Sequence, residues 1–149
     1  MSSFYGEYQF VIDQKNRVFI PAKFRDELKK EKAKKFMITI GLDGCLYIFP
    51  PSTWHQLMKN NMEIFRSENK EEERAFKRFF FSNACELDID EQGRILIPNS
   101  HRGYASINRD VVIIGAGNKI EIWAKEKWQD YSEKKIKKSI KKFSKILDI

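Results

Sequence analysis

Asp13-Gln14-Lys15-Asn16-Arg17-Val18-Phe19-Ile20-Pro21 returns 77 positions later as Asp90-Glu91-Gln92-Gly93-Arg94-Ile95-Leu96-Ile97-Pro98, and Arg25 returns as Arg102 at the same spacing. Further on, Gly41-Leu42-Asp43-Gly44-Cys45-Leu46-Tyr47-Ile48-Phe49 is answered by Gly115-Ala116-Gly117-Asn118-Lys119-Ile120-Glu121-Ile122-Trp123, and Trp54 by Trp128, now 74 positions apart. The first copy therefore carries three extra residues, within the Lys29–Lys35 stretch. Two copies at so long a period do not make a stacked array. They predict one pseudo-symmetric body built from a duplicated small unit.

Both copies follow one local plan. Tyr8–Ile12 alternates around Phe10 and Ile12 and reads as a strand. Asp13–Asn16 reads as a turn, because Asp bonds forward to backbone N–H groups and Asn tolerates positive φ. Arg17–Ile20 is the return strand; Pro21 stops it and opens a short helix over Ala22–Leu28. Phe36–Gly41 and Cys45–Phe49 predict a hairpin around Asp43-Gly44. The second copy reads Leu87–Ile89, a turn ending in Gly93, Arg94–Ile97, Pro98, a short helix, Val111–Gly115, a turn at Gly117-Asn118 and Lys119–Trp123.

A unit of about 45 residues is too small to bury an adequate core alone. Residues 7–54 and 84–127 are therefore expected to pack as halves of one body, α+β in class but mainly β. Residues 55–83 read as a helical linker, with helical patterns over Ser52–Arg66 and Lys70–Phe81. Phe76, Phe79 and Phe80 share one face there, as core or subunit interface. Residues 128–149 read as a basic amphipathic helix with Ile136, Ile140, Phe143 and Leu147 on one side. Such a helix can meet a membrane, a nucleic acid or a neighbouring subunit. Its plainest reading is a solvated helix docked through the apolar stripe.

Composition narrows the class. A hydrophobic fraction of 42% with 12 Phe supports a packed core. No apolar run approaches the ~18 residues of a membrane span and no cleavable leader opens the chain, so a cytoplasmic protein without membrane contact is expected. Cys45 and Cys85 stand apart and are read as free thiols rather than a disulfide. The net charge of +7 is concentrated in the first copy and in the tail, where seven lysines face three acids. A basic chain favours polyanions. The charge alone decides little, because Lys outnumbers Arg 20 to 8, as an AT-rich genome would also produce.

Catalytic signals are thin. His55 and His101 stand alone, no metal-ligand spacing occurs, and no nucleophile elbow or phosphate loop is present. Ser100 beside His101 is not a catalytic pair, since adjacent residues rarely face each other productively. No enzyme activity, cofactor, metal or small-molecule substrate is expected. Attention falls on the repeated turns. Asp13 and Asp90 read as turn carboxylates that accept backbone N–H groups, and phosphate would be repelled by them. Arg17 and Arg94 follow directly and leave two readings open: pairing with the turn carboxylate, or projection toward phosphate oxygens and guanine edges. Lys15 and Asn16 make the first tip basic, whereas Glu91 and Gln92 make the second nearly neutral.

These two DxxNR/DxxGR units with their apolar-Pro endings, the Arg74-to-Phe80 helix, Ala84-x-Glu86 and the closing stretch from Ile113 to Trp123 with Trp128 resemble the bacterial MraZ family. The resemblance covers the chain to about Tyr131 and leaves out the lysine-rich tail. It implies transcriptional regulators made of two SpoVT-AbrB-type swapped-hairpin repeats forming a β-barrel with flanking helices. It also implies homo-oligomeric rings, nucleoid association, and binding of double-stranded DNA at short repeated boxes. The boxes lie in the promoter of the division and cell-wall gene cluster, including the regulator's own gene, with repression as the outcome. Carried over residue by residue, it makes Arg17 and Arg94 DNA-binding directly and Lys15 by position, with Asn16, Arg25 and Arg102 beside them. Asp13, Asp90, Gly93, Pro21 and Pro98 are then structural turn residues. Asn16 departs from the usual Gly, and Gln92 replaces a commonly basic or small residue. Arg74 and Arg78 are read as interface or core-edge residues, partners of Glu86. The rival reading is an oligomeric protein-interaction scaffold without sequence readout.

Overall fold

Fourteen helices and strands follow from these patterns in the computed structural model, which describes residues 2–32, 35–60 and 65–147. They are β1 (Glu7–Val11), β2 (Arg17–Phe19), α1 (Ala22–Lys30), β3 (Lys35–Ile40), β4 (Leu46–Phe49), α2 (Pro51–Lys59), α3 (Lys70–Ser82), β5 (Cys85–Asp88), β6 (Arg94–Leu96), α4 (Asn99–Ala105), β7 (Asp110–Gly115), β8 (Ile120–Ala124), α5 (Lys125–Tyr131) and α6 (Lys137–Ile146). A π-type turn over Ser132–Ile136 joins the last two helices.

The strands form a six-stranded sheet in the order β1-β7-β8-β4-β3-β5 and a separate two-stranded ribbon, β2-β6. Every pairing is antiparallel. The order reads the same from either end once the halves are exchanged, as a duplicated unit requires. β1 of the first half lies on β7 of the second, and β5 of the second lies on β3 of the first. The return strand thus does not zip back along β1, contrary to the local hairpin reading. The Asp13 N–H to Arg17 carbonyl (2.9 Å) and Asn16 N–H to Asp13 carbonyl (3.0 Å) bonds close the turn, and β2 continues onto β6 instead. The sheet is open, with β1 and β5 as its edges, so the strands do not hydrogen-bond into one closed barrel.

Burial explains the strand sequences. One sheet face and the inner face of the ribbon share a single core containing Val18, Ile20, Ile95 and Ile97 with Ile38, Ile48, Ile113 and Ile122. The opposite sheet face carries two smaller clusters. Phe80 of α3 packs with Phe49 and Trp54, while Trp123 packs with Trp128 and Tyr131 of α5. Strands covered on both faces need near-continuous apolar runs, and β7 and β4 have them. Gly115 is dictated by the N-terminal segment: a Cβ there would collide with the backbone of Phe4 and Tyr5, which cross it with Phe4 donating to the Gly117 carbonyl (2.8 Å).

α3 is capped by Asn69, whose side chain accepts the Glu71 and Glu72 N–H groups. Buried Thr39 on β3 donates to the Phe80 carbonyl (2.6 Å), which fixes the helix on the sheet. Phe76 and Phe80 turn inward as the spacing predicts, but Phe79 is left exposed against Tyr104. Helix α2 ends at Lys59 rather than continuing to Arg66; residues 61–64 of that reading lie outside the described residues. Glu86 pairs with Lys35 (3.3 Å), not with Arg74 or Arg78, which are exposed on α3. Cys45 and Cys85 are free thiols, Cys45 buried and Cys85 half-buried.

The tail departs most from expectation. Its helix forms, but its apolar stripe is not docked on this chain: Ile140, Phe143, Ile146 and Leu147 are all at least half exposed. No helix among the described residues is long and apolar enough to cross a membrane.

Two outcomes test this packing. Phe80→Ala should cost about 3–5 kcal/mol, because it empties the α3 cluster, and chemical denaturation measures it. The second concerns acid. Hydrogen bonds from the Lys77 ammonium, the Ser67 N–H and the Lys70 ammonium hold the Glu73 carboxyl down at about 2, against an ordinary 4.5. The folded state thus favours ionised Glu73, whose contribution is present above pH 4.5 and is lost as pH falls toward 2. Glu73→Gln should flatten that part of a melting-temperature profile against pH.

Candidate functional site

The ribbon β2-β6 has two unlike faces because side chains alternate along a strand. Val18 pairs with Ile95, and both are buried. Arg17 pairs with Leu96 and Arg94 with Phe19, and these four side chains share the opposite face. Phe19 is 44% exposed and Leu96 56% exposed, so the face is open to solvent. It holds one arginine and one apolar side chain from each half of the chain, arranged diagonally.

The turns before these strands hold the arginines. In the first, Asp13 Oδ1 accepts the N–H groups of Lys15 and Arg17 (2.9 Å each), and Oδ2 accepts Arg17 Nε (2.8 Å). In the second, Asp90 Oδ1 accepts those of Gln92 (3.0 Å) and Arg94 (2.8 Å), and Oδ2 accepts Arg94 Nε (2.9 Å). The backbone N–H of Arg17, then its guanidinium, holds the Asp13 carboxyl below its ordinary range; Arg94 does the same for Asp90. Binding through Nε leaves the Nη edge of each guanidinium pointing away from its aspartate. Arg94 Nη1 also lies 3.9 Å from Asp13 Oδ2, and its side chain is 18% exposed against 31% for Arg17. Of the two readings, the structure shows the pairing with the turn carboxylate, and each arginine stays partly exposed.

Positive φ at Asn16 (65°) and Gly93 (87°) completes the turns. Their carbonyls then bond the other half, Asn16 accepting from Ile97 and Gly93 from Ile20 (2.9 Å each). The halves therefore lock each other's turns. Gly93 has a second reason to be glycine, since a Cβ there would press on the Arg25 guanidinium at 2.5 Å. Arg25 donates Nε to the Ile20 carbonyl (3.0 Å), and Arg102 reaches the Asn99 side chain. Pro21 and Pro98 cap α1 and α4 and end the ribbon strands. Lys15 is exposed beside Arg17.

Phe19 and Leu96 belong to this face and were not singled out from sequence. The signal was there: both lie two positions beyond an arginine on a strand, which puts them on its side. His101 is buried, with Nε2 2.7 Å from the Asn83 carbonyl, so it fastens the end of α3 to α4. His55 is exposed elsewhere. Among the described residues no cluster of His, Cys, Asp and Glu could hold a metal ion.

Comparison with known proteins agrees with the internal repeat. The family model "MraZ protein, putative antitoxin-like" matches twice, over residues 3–79 and 80–148. A protein of Clostridium beijerinckii called "Transcriptional regulator MraZ" is 48% identical over 133 residues, 89% of each chain. Its namesake in Clostridium tetani is 47% identical over 133 residues, again 89% of each, and that of Syntrophomonas wolfei 47% over 130 residues, 87% of each. With two copies of one family model spanning nearly its whole length, and relatives close to half identical, the chain belongs to the MraZ family.

Proposed function

We propose that this protein is a non-enzymatic transcriptional regulator that reads double-stranded DNA with the outer face of its β2-β6 ribbon. The name carried by its relatives supports the regulatory role. The observation that supports the reading surface is the pair of Asp-clamped arginines, one from each repeat, on an exposed two-stranded ribbon. The major groove of B-DNA, about 12 Å wide, admits such a ribbon. Arginine Nη edges suit guanine O6 and N7, and exposed Phe19 and Leu96 suit thymine methyl groups. Lys15 and Asn16 extend the first tip, while Arg25 and Arg102 are assigned to neighbouring phosphates. Asp13, Asp90, Gly93, Pro21 and Pro98 shape the turns.

Finer parts of the proposal rest on the family resemblance. The halves 7–54 and 84–127 are assigned as SpoVT-AbrB-like swapped-hairpin repeats. Residues 55–83 link them, and 128–149 form an appended basic helix. The strand exchange between halves supports that assignment. The protein is assigned to the cytoplasm and nucleoid, as a homo-oligomeric ring on tandem promoter boxes of the division and cell-wall cluster, its own gene included, with repression as the outcome. One ribbon offers few base contacts; many ribbons on repeated boxes gain by effective concentration.

Titration of DNA from upstream of the protein's own gene, against scrambled DNA and with thermal melts as folding control, tests this reading. Arg17→Ala should cost about 1–3 kcal/mol per engaged ribbon and relax sequence choice. Arg94→Ala should cost less, since its guanidinium is more buried and shared with Asp13. Affinity should fall steeply with salt through counterion release. A folded Arg17→Ala protein with unchanged affinity, or binding indifferent to salt, would favour the scaffold reading.

A further inference from the structure

Two surfaces outside the ribbon stand open among the described residues. The first is the tail. The chain is helical without a break from Lys125 to Ile146, about 33 Å at 1.5 Å per residue. Its base is fixed: Trp128 and Tyr131 pack on Trp123, and Trp128 Nε1 donates to Glu7 (3.0 Å). Beyond Ile136 no side chain of α6 joins any buried cluster. Ile140 (61% exposed), Phe143 (50%) and Leu147 (52%) line one side, with the lysines on the others.

The second is a cavity of about 540 Å³ between α2, α3 and β4, lined by Leu42, Leu57, Phe65 and Phe76. Its rim is acidic where α3 begins. Glu68, Glu71 and Glu72 are exposed, and Glu72 reaches the cavity wall. Two cations also line the cavity, and both are already engaged: Arg66 has a partner, and Lys119 meets Tyr47 and Glu121.

We infer that α6 of one copy docks in this cavity of a second copy. The apolar stripe and cavity match as a helix in a groove, with anchors spaced i, i+3 and i+7. Charge selects the partner. Lys141 and Lys142, one on each flank of the stripe, carry no ion pair among the described residues and would meet the acidic start of α3. The helix continues unbroken from its fixed base, and its stripe beyond Ile136 stays exposed on its own chain, so the inferred contact joins different copies. Stripe and cavity are different surfaces, which makes the contact head-to-tail and able to repeat around a ring. It deepens the proposed multi-copy function and rests on that reading for its purpose, though not for the contact itself.

The full-length protein tests this in sedimentation. Ile140→Asp with Phe143→Asp should convert a multimer into a species near 17.7 kDa, with unchanged circular dichroism because both side chains are exposed. Glu71→Lys with Glu72→Lys should dissociate it likewise, and adding Lys141→Glu with Lys142→Glu should restore the multimer. A photo-cross-linker at position 143, in a mixture of isotopically light and heavy chains, should capture Leu57 or Phe76 of the other chain. An unchanged species after Ile140→Asp/Phe143→Asp, or cross-links confined to one chain, would overturn the inference. So would stripe-dependent binding to phosphatidylglycerol vesicles with no effect on sedimentation, which would make a lipid surface the occupant. An assembled protein that ignores DNA would refute the DNA reading and leave this contact standing.

Discussion

Backbone hydrogen bonding across the two halves is the constraint on which the rest depends. β1 finds its partner in β7 and β5 finds its partner in β3, while β4 and β8 join the halves at the centre of the sheet. Removing either half would leave strands of the other with unpaired N–H and C=O groups and an open core, a heavy cost for buried backbone. The ribbon obeys the same rule on a smaller scale. Among the described residues β2 and β6 form a ladder only with each other, and each turn's carbonyl accepts from the strand end of the other half. The outer ribbon face is therefore a joint product of both repeats.

That origin explains how carboxylates and arginines share one surface. A turn carboxylate is unfavourable near a polyanion, but here each aspartate is consumed by two backbone N–H groups and one guanidinium Nε. In the proposed function the clamp fixes a long side chain before DNA arrives, so less rotamer freedom is lost on binding. Pseudo-symmetry does not make the tips equal. Lys15 and Asn16 stand where Gln92 and Gly93 stand in the second copy, and Arg94 leans toward Asp13. The first tip is the more basic and the more open.

Away from the ribbon, the two smaller aromatic clusters divide the labour on the other sheet face. The Trp123 cluster roots the C-terminal helix, and the Phe80 cluster roots α3 and leaves a cavity beside it. Each anchors one of the surfaces that stand open among the described residues. The stripe spacing of the tail was legible from Ile136, Ile140, Phe143 and Leu147, yet its exposure was not, because amphipathicity states which side is apolar and not what covers it.

Local chemistry determined the elements. Asp followed three residues later by Asn or Gly makes the turns, Pro21 and Pro98 end the strands, and period-two alternation sets the faces of β2 and β6. The duplication was legible too, since identical spacings of Asp, Arg and Pro need no coordinates. Strand partners were not. Arg17–Ile20 looks like the return arm of a hairpin on Tyr8–Ile12, and nothing nearby in the chain says that both arms will instead pair with the other half. Nor did sequence place Phe19 and Leu96 together or give Glu86 to Lys35. Turn and face preferences are decided within a few residues by φ/ψ sterics and side-chain parity. Pairing is decided by which distant edges remain unsatisfied once the shared core closes, and only the tertiary structure settles that.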